Sequence, residues 1–193
     1  MIEYNEAIHK YLISLHAISK KDVEYLLKHC TLRRCKANTP IVNFGEKPET
    51  VYMLTQGVVR SYILLENGRE VTKSLFTPID LFSSFTALLK QKASLFCYQA
   101  LTDCELIAIN FNKIREISSE NMDVLKLYVG YLEHVFSINE DRHLKILSKD
   151  AKERYIDLKK NIPDIDDLIP QYQIAAYLNI TPVQLSRIRS TFK

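Results

Sequence analysis

Few residues in this 193-residue chain could do covalent or metal chemistry, and they are spread apart. The five histidines are His9, His16, His29, His134 and His143, with none between Thr31 and Asn110. A barrel enzyme of the cupin type needs two or three imidazoles and a carboxylate converging on a metal inside its strands. That chemistry is therefore excluded, and no Ser-His-Asp or Cys-His constellation suggests itself. Cys30, Cys35, Cys97 and Cys104 do not reproduce Cys-x2-Cys zinc spacing and read as reduced, buried thiols. No metal and no cofactor is expected. What remains is a polar face near the carboxyl terminus, where Gln184, Arg187 and Thr191 recur at i, i+3 and i+7. Arginine, glutamine and serine are the side chains that read base edges or grip phosphates.

That face needs a helix held at a fixed angle, and the preceding residues supply one. In Asn179-Ile180-Thr181-Pro182, asparagine tolerates the left-handed conformation of a sharp turn. Thr181 is a good N-cap, and Pro182 falls at the first helical position, where its missing N–H costs nothing. Helices over 171–178 and 182–192 would share an apolar seam of Ile174, Ala175, Leu178, Ile180, Leu185 and Ile188. The pattern is that of a helix-turn-helix.

The rest of the chain must carry this unit. Ile8, Tyr11, Leu12 and Leu15, then Val23, Leu26 and Leu27, predict two amino-terminal helices. From Thr31 the period becomes two, with β-branched and aromatic residues over 58–63 and an Asn67-Gly68 hairpin signal. Residues 80–90 read as a short helix, and 95–101 with 105–109 as a last strand pair. Six to eight short strands imply an antiparallel barrel or jelly roll of about 80 residues. A brief helix around 111–117 precedes a long one over roughly 119–147, spanning about 40 Å. Its stripe, including Leu127, Tyr128, Tyr131, Val135 and Ile138, is too long for a small barrel to cover, and predicts a second copy as partner. A further helix is expected over 152–160, with the acidic run Asp164-Ile165-Asp166-Asp167 turned away from any polyanion.

Composition agrees with a globular chain: 47% hydrophobic, 25% charged and a formal charge of +3. So small a charge does not announce a nucleic-acid partner, and only local pattern does so. The amino terminus lacks a signal peptide and no run is long enough to span a membrane, so cytoplasmic localisation is expected. The fold class is α+β in three parts: a sensor-like domain over 1–117, a dimerisation helix over 118–147 and a helix-turn-helix over 148–193.

Three stretches carry a resemblance. They are Thr39-Pro40-Ile41-Val42-Asn43-Phe44-Gly45-Glu46, Val51 through Arg60 with Asn67-Gly68-Arg69-Glu70, and Ile174 through Arg189, joined by Ala151-Lys152-Glu153-Arg154-Tyr155. With the order of elements they make the chain resemble the Crp/Fnr family of bacterial transcription regulators, most of all its short Bacteroidetes-type branch. The resemblance implies a cyclic-nucleotide-binding-like barrel, a homodimer on double-stranded DNA, and RNA polymerase as a further partner. It also implies a base-contacting role for Arg187, preceded by Ser186, with Thr181, Gln184, Arg189 and Ser190 as phosphate clamps. Nucleotide-responsive members hold the cyclic phosphate with a Gly-Glu pair and an Arg-Ser/Thr pair. Here Ser83 and Ser84 stand for the first pair, and no arginine stands near Ser94. Burying the phosphate there would leave an unpaired anion, so cyclic AMP is not expected. Two readings of the barrel then stand side by side: Ser83, Ser84, Ser94, Tyr98 and Gln99, with Tyr62 facing them, line a pocket for an unidentified effector, or the barrel is a filled structural core with no ligand. The alternative is a barrel that binds other proteins and no DNA. The chain given ends at Lys193, directly after the recognition helix and without a complete wing, so few phosphate contacts per subunit are expected, with Lys193 near the DNA.

Overall fold

A computed structural model describes residues 5–192. Two helices open it, α1 (Glu6–Leu15) and α2 (Lys20–Lys28), capped by the Asn5 and Ser19 side chains, which accept from first-turn amides. Eight strands follow: β1 (Thr31–Cys35), β2 (Pro40–Val42), β3 (Thr50–Gln56), β4 (Val59–Leu64), β5 (Glu70–Phe76), β6 (Leu81–Phe82), β7 (Cys97–Ala100) and β8 (Cys104–Asn110). Between β6 and β7 lies the short helix α3 (Phe85–Lys90).

The strands form two antiparallel four-stranded sheets, β1-β8-β3-β6 and β2-β7-β4-β5. The expected last strand pair is thus corrected. β7 and β8 follow one another in the chain but lie in opposite sheets, β7 against β2 and β4, β8 against β1 and β3. Likewise the helix expected over 80–90 begins only at Phe85, because Leu81 and Phe82 pair with Met53 and Tyr52 as an edge strand. Gly57 makes the tight turn into β4 at φ +95°, and a Cβ there would lie 2.5 Å from the Asp103 carbonyl oxygen. Only glycine fits such a position.

Inside the sandwich, Val59, Tyr52, Phe82, Tyr98, Ala100 and Leu106 form a closed core. Phe76, Phe82 and Tyr98 stack with ring centroids 5.0–6.0 Å apart. A second core lies outside the first sheet, where α1, α2 and the long helix cover Met53 and Ile107. It leaves a cavity of about 120 Å³ with an apolar lining.

The remaining chain is helical: α4 (Phe111–Glu120), α5 (Met122–Ser148), α6 (Ala151–Asn161), α7 (Ile165–Leu168), α8 (Gln171–Leu178) and α9 (Pro182–Ser190). α5 has 27 residues. At Gly130 of α5 the backbone of α1 comes so close that a Cβ would sit 2.4 Å from the Leu15 carbonyl oxygen. α7 was not anticipated; it turns Ile165, fully buried, into the core of the carboxyl-terminal unit. That core joins Tyr155, Leu158, Ile165, Ile174, Leu178 and Leu185 to Val58 and Leu101 of the sandwich. The helix-turn-helix and the barrel therefore share apolar contacts. No helix among the described residues is long and apolar enough to cross a membrane.

Candidate nucleic-acid interface

The turn between α8 and α9 is built as its residues dictate. Asn179 adopts φ 55°, ψ 43°, the left-handed conformation, and ends α8. Thr181 caps α9 through a reciprocal pair: its hydroxyl accepts from the Gln184 amide, and Gln184 Oε1 accepts from the Thr181 amide at 2.8 Å. Arg154 of α6 donates to the Leu178 carbonyl oxygen at 3.0 Å and to the Lys149 carbonyl oxygen, tying the end of α8 to the start of α6. Leu185 is fully buried in the seam with Ile174, Ala175 and Leu178, while Ile180 and Ile188 close its edges.

The outer side of α9 is exposed. Thr181, Gln184, Ser186, Arg187 and Ser190 all face solvent, as do Pro182 and Val183. Gln184 and Thr181 spend part of their hydrogen-bonding capacity on the cap, and the Ser190 hydroxyl donates to the Arg187 carbonyl oxygen. Arg189 differs. It is half-buried and turned back, its Nε 3.6 Å from Asp166, which also pairs with Lys159 at 3.0 Å and accepts from the Tyr155 hydroxyl at 2.7 Å. Burial pushes the Asp166 carboxyl up, but the Tyr155 hydroxyl, the Lys159 ammonium and the Arg189 guanidinium outweigh it and hold it below its ordinary value of 3.8. The acidic run therefore does not simply point away: Asp166 fixes α9 from behind, and Arg189 is engaged where a free phosphate clamp was expected. The Thr181-x-x-Gln184 spacing is the signal of a capping box. Lys193 lies outside the described residues.

The six expected pocket residues do not converge. Ser83, Ser84, Ser94 and Tyr98 meet in the buried interior and satisfy one another or nearby carbonyls: Ser94 Oγ donates to Ser84 Oγ at 2.7 Å, Ser83 Oγ to the Thr50 carbonyl oxygen at 2.8 Å and Tyr98 OH to the Ser83 carbonyl oxygen at 2.7 Å. Tyr62 and Gln99 sit on the opposite face of their sheet, because side chains alternate along a strand and Val59, Tyr98 and Ala100 take the inner positions. There they border Arg60, which sequence reasoning passed over. Arg60 is 3% exposed, pairs with Glu70 at 2.6 Å and with Gln99 Oε1 at 2.7 Å, and lies 3.8 Å from the Tyr62 ring centre.

The expected dimer stripe on α5 is also rearranged. Leu127 and Tyr131 are buried against the chain's own sheet, and the Tyr131 hydroxyl donates to the Leu81 carbonyl oxygen at 2.9 Å. Tyr128 packs edge-on against Phe111, and Val135 is half-buried. Ile138 remains exposed, with Leu125, Val129, Phe136, Leu144, Ile146 and Leu147. Leu125, Val129, Leu132 and Phe136 follow one another at spacings of four, three and four. Alternating three- and four-residue steps put an apolar seam on one side of a helix.

The model of the cyclic nucleotide-binding domain matches residues 32–121. The cAMP-activated global transcriptional regulator Vfr of Pseudomonas aeruginosa is 29% identical over 114 residues, 57% of this chain and 53% of that protein. The corresponding regulator CRP of Salmonella typhimurium is 27% identical over 103 residues, 53% of this chain and 49% of that protein. The match thus spans about half the length of these relatives. The fold likeness extends further: FixK2 of Bradyrhizobium japonicum superposes with a TM-score of 0.70 at 22% identity, covering 84% of this chain and 83% of that one. The chain thus carries a cyclic nucleotide-binding domain over residues 32–121 and shares the overall fold of Crp/Fnr regulators. A Crp/Fnr-family protein from Eubacterium rectale gives a TM-score of 0.69 at 18% identity over 91% of this chain and 83% of that one. The domain match lies over residues 32–121, and the likeness over the helices that follow is one of fold.

Proposed function

We propose that this protein is a Crp/Fnr-type DNA-binding transcription regulator of the cytoplasm that works as a homodimer and reads an inverted repeat through α9. The observation that carries the proposal is the asymmetry of α9: Leu185 is sealed into the seam, while Ser186 and Arg187 stand on the exposed outer side, and Arg187 makes no ion pair among the described residues. In the dimer two such helices enter successive major grooves about 34 Å apart. Arg187 would read a base edge, and Thr181, Gln184 and Ser190 would grip the backbone. Arg189 supports α9 through Asp166. The Leu125, Val129, Leu132 and Phe136 side of α5 supports pairing with a second copy, and RNA polymerase is the further partner this mode of action needs.

The barrel interior is not proposed as a cyclic-nucleotide site. Where a cyclic phosphate would need a guanidinium, the Ser84 and Ser94 hydroxyls bond to each other beneath a stack of aromatic rings.

Arg187→Ala tests the assignment. The variant should lose about 1–3 kcal/mol of specific binding, concentrated at one base position, when the two proteins are compared by fluorescence anisotropy at the same salt concentration. Equal affinity would show that Arg187 reads no base.

A further inference from the structure

Lys73 and Arg142 are two cations brought together without an anion. Arg142 leaves the second half of α5 and reaches the edge of the barrel, where its Nη1 donates to Ser74 Oγ at 3.0 Å and its guanidinium lies 4.5 Å from the Tyr177 ring centre on α8. Lys73, next along β5, places its ammonium 4.9 Å from the Phe96 ring centre. A register shift between Ser61 and Tyr62 leaves Lys73 without a partner on β4, so it escapes the strict alternation of the strand. The Lys73 side chain is exposed, with its ammonium held below its ordinary value by partial loss of solvation and then by the nearness of Arg142, and burial lowers the half-buried Arg142. Neither forms an ion pair with a carboxylate among the described residues, and Asp141, beside Arg142, is taken by Lys145.

Other half-buried cations have several acceptors or a carboxylate: Arg154 donates to the Lys149 and Leu178 carbonyl oxygens, and Arg33 to the Ile41 carbonyl oxygen and the Tyr52 hydroxyl. Arg60 has Glu70 and Gln99, Lys149 has Asp157, and Lys159 has Asp166. A second observation marks the same place. Ser61 lies directly across from Ser74 in the β4–β5 ladder, is 1% exposed, and its hydroxyl has no hydrogen-bond partner. A buried polar group without a partner is costly, and so is a pair of like charges that solvent only partly screens.

We propose that Lys73, Arg142 and the Ser61–Ser74 hydroxyl pair form a binding site for a small oxyanion, the phosphate or carboxylate group of a metabolite. The ammonium and the guanidinium supply charge, and the hydroxyls can donate to further oxygens. Because Arg142 touches Ser74 of the barrel and Tyr177 of the helix-turn-helix, an anion held there bears on three elements at once: β5, α5 and α8. The site deepens the regulatory reading proposed above, since the anion's charge would bias how α8 sits on the barrel. Its binding does not depend on DNA.

Calorimetric titration of the full chain with inorganic pyrophosphate, inorganic phosphate and citrate, each at constant ionic strength and without DNA, tests the site. Saturable binding of one anion per chain is expected, with the pyrophosphate and citrate arms telling phosphate from carboxylate preference. Lys73→Gln and Arg142→Gln should each weaken it at least tenfold, and Arg142→Lys should restore part of the loss. Lys113→Gln, whose ammonium pairs with Glu116 on α4, should change nothing. If Arg142→Gln fails to fold, Lys73→Gln carries the test alone. The proposal is overturned if none of the three anions binds saturably, or if binding is the same in Lys73→Gln as in the parent. It is also overturned if Lys73→Gln weakens DNA binding while small anions bind as before, which would make this a DNA-backbone contact. Failure of DNA binding with anion binding intact would instead count against the DNA-binding reading alone.

Discussion

Arg187 and Arg189 stand two positions apart on one short helix and are used in opposite ways. Arg187 is exposed on the outer side, whereas Arg189 is drawn back onto Asp166 together with Lys159 and the Tyr155 hydroxyl. Asp166→Asn removes the charge all three share and should cost about 1–3 kcal/mol. The pH dependence follows from the direction of its shift. Because Asp166 titrates lower in the folded chain than its ordinary 3.8, the unfolded chain takes up the proton first. Its contribution is therefore present above about pH 4 and is lost as pH falls through the folded-state value. Urea midpoints of parent and Asp166→Asn should differ clearly at pH 6, and the gap should narrow as pH falls below Asp166's ordinary value of 3.8; a constant gap would show that the charge is not responsible. The sequence shows Arg189 as one more cation on a helix. Its partner lies about twenty residues earlier and is brought near by the turn of α7, which no local pattern announced. By contrast, the roles of Asn179, Thr181 and Pro182 were legible because each depends on its own backbone geometry. The Thr181–Gln184 cap belongs to the same kind and was available from spacing alone.

Among the elements, periodicity located helices and strands but not what they face. The long helix was evident from its apolar residues, yet Leu127 and Tyr131 turn toward the chain's own sheet, where α1, α2 and Met53 complete a core. Gly130 explains why α1 lies so close, and an isolated glycine in a helical pattern is a sign of close packing. The uncovered apolar side, proposed above to face a second copy, is then Leu125, Val129, Leu132 and Phe136, with Phe136 69% exposed. Burying one phenylalanine contributes about 1.5–3 kcal/mol. Phe136→Asp, which acts twice in a dimer, should raise the dissociation constant on the order of a hundredfold. Light scattering at micromolar concentration should show twice 22.4 kDa for the parent and a 22.4 kDa species for the variant. Unchanged association would place the dimer contact elsewhere. The pairing of β7 and β8 with different sheets was not legible, since alternation along a strand does not say which neighbour it takes.

Taken together, the barrel, α5 and the helix-turn-helix are more tightly joined than a sensor on a stalk. Val58 and Leu101 enter the same apolar core as Ile174 and Leu185, Arg69 of the β4–β5 hairpin bonds Asn179 at the turn of the reader, and Arg142 bridges Ser74 and Tyr177. The likeness to Crp/Fnr regulators and the order of elements could be read from short motifs in each part. The contacts between parts could not, because they join residues far apart in the chain, 110 positions for Arg69 and Asn179, and depend on how α8 docks on β5. On the proposed regulatory reading, such docking would link a ligand bound at the barrel to α9 through a change in the population of two arrangements. The formal charge of +3 remains modest for a DNA-binding chain. On the proposed reading, specific contacts from two copies of α9, rather than bulk charge, would carry recognition. The most direct measurement is selection of bound duplexes from a random DNA library by the full chain at physiological salt. Enrichment of an inverted repeat with half-sites about one helical turn apart is the expected result. Recovery of no common sequence, or of a single unrepeated half-site, would contradict a symmetric dimer reading DNA through α9.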